Sequence, residues 1–81
     1  MTAEQPSGGY LARQLGDGLT AARERAGRSQ RAQARELGVA GPTLRELELG
    51  LANPTLGRIE DLASALDLDV ELRIRPRRRR R

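Results

Sequence analysis

The chain contains no cysteine and no histidine. Without cysteine there is no disulfide framework and no thiolate metal site. With histidine gone as well, the usual general bases, nucleophile–base pairs and zinc sites have no side chains to build on. The sequence therefore predicts no enzyme, no cofactor and no small-molecule substrate. Phenylalanine and tryptophan are absent too, and Tyr10 is the only aromatic residue. A core must be assembled from leucine and alanine, each buried leucine contributing roughly 1.5–3 kcal/mol. In 81 residues that gain is small beside the entropy of ordering the chain, so stability is expected to draw on a second subunit. No apolar run approaches the ~20 residues that cross a bilayer, and the opening residues lack the basic-then-apolar order of a secretion signal. The expected location is cytoplasmic, with no membrane partner.

Lysine is missing as well: all fifteen basic residues are arginine, set against eleven Asp and Glu for a net charge of +4. Arg77 to Arg81 supply five of those charges, so residues 1–76 hold ten arginines and eleven carboxylates, a net of −1. The basic character belongs to the tail, and where charge sits matters more than its total.

Along the chain, residues 1–9 are polar, glycine-containing and aperiodic, and read as a disordered arm. From Tyr10 the positions Leu11, Leu15, Leu19, Ala22 and Ala26 recur at helical spacing. Gly16 and Gly18 each weaken that helix by roughly 1 kcal/mol relative to alanine, and Gly27 ends it. Ser29 is the expected N-cap of a second helix, running to Leu37. Gly38 supplies a turn, and Pro42 falls in the first turn of a third helix, where a missing amide costs little. Leu44, Leu47 and Leu51 are expected to face inward, with Gly50 as the stop. Thr55 caps a fourth helix with the stripe Leu56, Ile59, Leu62, Ala63 and Leu66.

After Asp67 the period drops to two: Val70, Leu72 and Ile74 alternate with Glu71, Arg73 and Arg75. That predicts a strand over 69–75, and no second strand exists to pair with it. The expected partner is the same strand of a second copy; a fifth short helix or coil is the alternative. The resulting expectation is a mainly α chain of four to five helices over 10–68, a dimerisation strand and an Arg-rich tail over 76–81. That tail can be a minor-groove or phosphate-binding arm, a segment that contacts a protein partner, or a solvated end.

Two short helices joined by a tight turn, as in Ser29 to Glu48, can hand one helix to the DNA major groove. The residues also carry a likeness. Arg23, Gly27, Ser29-Gln30, Ala34, Leu37-Gly38-Val39, Pro42-Thr43-Leu44, Glu48, Gly50, Asn53-Pro54-Thr55-Leu56 and Leu62-Ala63, with Ala65-Leu66, form one string. It resembles the lambda-repressor-like, Xre-type helix-turn-helix DNA-binding family over residues 19–66. The strand that follows is similar to the HipB- and HigA-type antitoxin branch.

The resemblance implies a nucleoid-associated transcriptional repressor with double-stranded DNA and a second copy as partners. The antitoxin branch adds a cognate toxin protein. Gln30, Thr43 and Asn53 would contact DNA phosphates, with Arg31 near the same end of the second helix. Base reading would fall to Gly41, Pro42, Arg45 and Glu46. Arg23 and Glu48 would form an ion pair joining the first and third helices. Arg45 can fork onto guanine, and Glu46 can accept from a cytosine amino group. Gly41 offers no side chain and Pro42 only an apolar ring. Arg28 and Gln33 stand where the family buries leucine, so the second helix is expected to pack through Ala34 and Leu37. These departures keep a second reading open: a protein-interaction module on a helix-turn-helix scaffold.

Overall fold

The computed structural model describes residues 9–78, so residues 1–8 of the expected arm and Arg79 to Arg81 of the tail lie outside the described residues. Four helices follow one another: α1 (Tyr10–Arg25), α2 (Gln30–Leu37), α3 (Gly41–Glu48) and α4 (Leu56–Ala65). Their boundaries have local causes. Ser29 Oγ accepts from the Ala32 amide at 3.1 Å, and Thr55 Oγ1 accepts from the Arg58 amide at 3.1 Å. Each hydroxyl satisfies one of the amides a helix start leaves unpaired. Pro42 sits in the first turn of α3, as its fixed φ and missing donor allow.

The helix ends share one device. At the close of α2, Val39 donates to the Ala34 carbonyl at 3.0 Å and Gly38 to Arg35 at 3.2 Å, with Gly38 at φ 69. That left-handed position is open to glycine without a Cβ penalty. The same pair of bonds closes α4, from Leu68 to Ala63 and Asp67 to Ser64, but there Asp67 takes the left-handed position at φ 58. Asp is among the few non-glycine residues that visit this region routinely.

The core is leucine and alanine: Leu19, Ala34, Leu44, Leu47, Leu62 and Ala63 are buried, with Leu15, Leu37, Ala52 and Leu66 packed around them. Leu44 is fully excluded from solvent. Helix α3 is held mainly by α1 and α2. Its C-terminal end is approached so closely by α1 that a Cβ on Gly16 would lie 2.5 Å from the Glu48 carbonyl oxygen. Gly16, which by propensity only weakens α1, is there because two backbones meet.

Three leucines expected inside lie outside. Leu11, Leu51 and Leu56 are exposed, each at or just beyond the margin of its helix. The strand expected over 69–75 is not formed in the single chain: residues 68–78 are neither helix nor strand. Among the described residues no backbone hydrogen bond involves 69–78, since a strand without a neighbour has nothing to donate to. No helix among the described residues is long and apolar enough to cross a membrane.

Candidate nucleic-acid interface

Burial divides α3 into two faces. Leu44 and Leu47 point into the core, while Gly41, Pro42, Thr43, Arg45 and Glu46 are exposed. An α-helix with its side chains is about 10–12 Å across, comparable to the width of the B-DNA major groove. Every residue expected to read bases is thus on the outward side.

The outward face continues onto α2. Gln30, Arg31, Ala34 and Arg35 of α2, Val39 of the turn, and Gly41, Pro42 and Arg45 of α3 enclose an open concavity of about 520 Å³. Three arginines, Arg31, Arg35 and Arg45, line one hollow, although residues 1–76 as a whole carry a net charge of −1. Such a local concentration of one sign raises the potential where a phosphate backbone would approach. Arg35 was not among the expected contact residues; its spacing of four from Arg31 places both on one side of a helix. Thr43, Glu46 and Asn53 are exposed but lie outside this hollow.

What fixes the angle of α3 is a polar cluster at its far end. Arg23 grips Glu48 with two prongs, Nε to Oε2 at 2.8 Å and Nη2 to Oε1 at 3.2 Å. Its remaining nitrogen Nη1 donates to the Arg28 carbonyl at 3.0 Å, so one guanidinium ties α1 to α3 and to the turn before α2. The expected ion pair is present. The hydrogen bond to Glu48 raises the Arg23 pKa above its ordinary value against the opposing effect of burial. A carboxylate in the last turn of a helix opposes the helix dipole; the arginine offsets that penalty while the carboxylate stays largely excluded from water, at 5% exposure.

Gln30 joins the same cluster. Its side-chain amide donates to Glu48 Oε1 at 2.8 Å, so in the free chain it braces α2 against α3. The second N–H of that amide remains available to donate to a phosphate. Residue types alone give no sign of this bond, because position 30 and position 48 meet only in the folded chain.

Arg28 and Gln33 take up the space where leucines were expected by pairing with each other. Gln33 is 1% exposed and accepts from Arg28 Nη1 at 3.0 Å. Among the described residues no buried side-chain nitrogen or oxygen lacks a partner, so the polar substitution leaves no unsatisfied group behind. Ala34 packs in the core as expected, with Leu37 at its margin.

The described residues contain no group of three or more Asp or Glu placed to hold a metal ion. No curated protein matches the chain by sequence. Two solved structures share its fold: one described as an MDT protein, the other a chain of a HipA–HipB–O2–O3 complex. Each is 25% identical to this chain, with a TM-score of 0.62, covering 80% of this chain and 92% of the other. A family model described as a helix-turn-helix domain matches residues 14–75. With the fold, the capped two-helix unit and most of the chain in agreement, this protein belongs to the helix-turn-helix domain family.

Proposed function

We propose that this chain is a sequence-specific DNA-binding repressor that acts as a homodimer and lays α3 in the major groove. The observation that carries the reading is the exposure of Gly41, Pro42, Thr43, Arg45 and Glu46 on one outward face, beside the hollow lined by Arg31, Arg35 and Arg45. Arg45 reads guanine through its forked donors. Gln30, Thr43 and Asn53 hold phosphates, and Arg31 adds charge at the entrance to α2. Val70, Leu72 and Ile74, all exposed in the single chain, join two copies. Two α3 helices then lie about 34 Å apart, one turn of DNA.

The likeness to HipB-type antitoxins, and the fold shared with a chain of the HipA–HipB–O2–O3 complex, support a protein partner of the toxin class. In this reading the chain represses its own operon and releases repression through that partner. Fluorescence anisotropy against DNA flanking its own gene, at two salt concentrations, tests the reading. Binding at least a hundredfold tighter than to random duplex supports it; equal binding to both rejects it.

A protein-interaction module without operator reading is the second candidate. Gly41 and Glu46 favour it, since one lacks a reading group and the other repels phosphates. It predicts the equal-binding outcome together with retained partner binding.

A further inference from the structure

We infer that residues 69–75 pair antiparallel with the same residues of a second copy in one register only, with the two-fold axis through Leu72. The inference rests on the homodimer reading above and specifies what that reading leaves open.

In a symmetric antiparallel pair, residues equidistant from the axis face each other, and opposing side chains share a side of the ladder. An axis at Leu72 sets Leu72 against itself and Val70 against Ile74 of the partner copy. On the other side it sets Glu71 against Arg73 and Asp69 against Arg75. Every opposed pair is then apolar with apolar or acid with base. Moving the axis to Glu71 opposes two carboxylates, and moving it to Arg73 opposes two guanidinium groups. An axis between two residues sets leucine against a charge. Acids in the first half and bases in the second half of the segment make the strand complementary to its own reverse.

The single chain is prepared for this pairing. Glu71 and Arg73 already share one side, with Nη2 and Oε1 3.5 Å apart, and both remain mostly in water at 76% and 78% exposure. Val70 and Leu72 line an open groove of about 440 Å³ with Leu11, Leu15, Leu56 and Ile59. Ile74 is outside that groove and 89% exposed. In the Leu72 register the partner's strand brings Ile74 opposite Val70, at the edge of this groove. A second copy thus covers the leucines that the single chain leaves in water, and the charges match along the whole segment.

The chain has no cysteine, so single cysteines report the register directly. Full-length Leu72→Cys is expected to form an oxidised dimer, because opposed Cβ atoms lie about 5 Å apart. Val70→Cys alone and Ile74→Cys alone are expected to stay uncrosslinked, since like positions lie about 13 Å apart along the strand. An equal mixture of those two is expected to crosslink. Charge reversal gives a second readout on exposed residues that do not affect folding. Glu71→Arg or Arg73→Glu is expected to raise the dimer Kd about tenfold, and the double reversal to restore it to within about threefold. A wild-type dimer by sedimentation equilibrium with crosslinking at Val70 alone, or indifferent to either reversal, overturns the register and leaves the homodimer standing. A wild-type monomer at all concentrations overturns the homodimer itself.

Discussion

The side-chain amide of Gln30 and the side-chain carboxylate of Glu48 are 2.8 Å apart, joining the first residue of α2 to the last residue of α3. Arg23 approaches the same carboxylate from α1. Three helices therefore converge on one acidic group, and the orientation of α3 depends on it.

Removing that group leaves Arg23 largely buried without a counter-charge. Glu48→Ala is expected to cost about 3–5 kcal/mol of stability, read as a fall in urea midpoint at unchanged slope. Gln30→Ala removes a neutral donor and is expected to cost about 1 kcal/mol. In a double-mutant cycle, Arg23→Ala combined with Glu48→Ala costs less than the sum of the two singles. Additive costs would show that the two side chains do not depend on each other.

Two glycines in one helix are expected to respond in opposite ways to the same substitution. A Cβ at Gly16 meets the Glu48 and Leu47 carbonyl oxygens at 2.5 and 2.6 Å, whereas a Cβ at Gly18 meets nothing within 4 Å. Gly16→Ala therefore destabilises by about 1–3 kcal/mol despite better helix propensity. Gly18→Ala stabilises by up to about 1 kcal/mol. Thermal melts of the two variants, measured side by side at equal protein concentration, check the signs.

The pair joining Arg28, in the turn before α2, to Gln33 within it makes a third case. Arg28→Ala strands the Gln33 side chain in the core and is expected to cost about 1–3 kcal/mol. Arg28→Leu with Gln33→Leu replaces both partners by apolar groups and is expected to be neutral or stabilising. Equal losses in the single and the double variant would show that the hydrogen bond plays no part.

How much of this was legible beforehand depends on the range of the forces involved. The caps at Ser29 and Thr55 and the turn at Gly38 are set by neighbours a few residues away, and all three are where the spacing places them. The ion pair of Arg23 and Glu48 came from resemblance, and the structure contains it. The bond from Gln30, the pairing of Arg28 with Gln33 and the contact at Gly16 join residues whose approach is created by the fold. Apolar periodicity misplaced Leu11, Leu51 and Leu56 because it marks a face without saying how far the chain's own core extends. The strand over 69–75 is a related case: alternation shows what the segment can pair with, and the described residues of a single chain contain no such neighbour.

On DNA, arginines of the hollow are expected to separate by role. Arg31→Ala and Arg35→Ala weaken binding to all duplexes alike and each reduces the slope of log affinity against log salt by about 1. Arg45→Ala costs about 1–3 kcal/mol on the preferred site and relaxes preference at one base pair. Anisotropy titrations over a salt series, on preferred and scrambled duplexes, distinguish the two patterns.

The outward face of α3 is tested most directly by selecting binders from a random duplex library with the wild-type chain and with Arg45→Ala. The wild-type selection is expected to enrich an inverted repeat with half-sites about 10 base pairs apart, carrying a guanine in each half that the Arg45→Ala selection loses. Recovery of unenriched sequence by the wild-type chain would contradict the account.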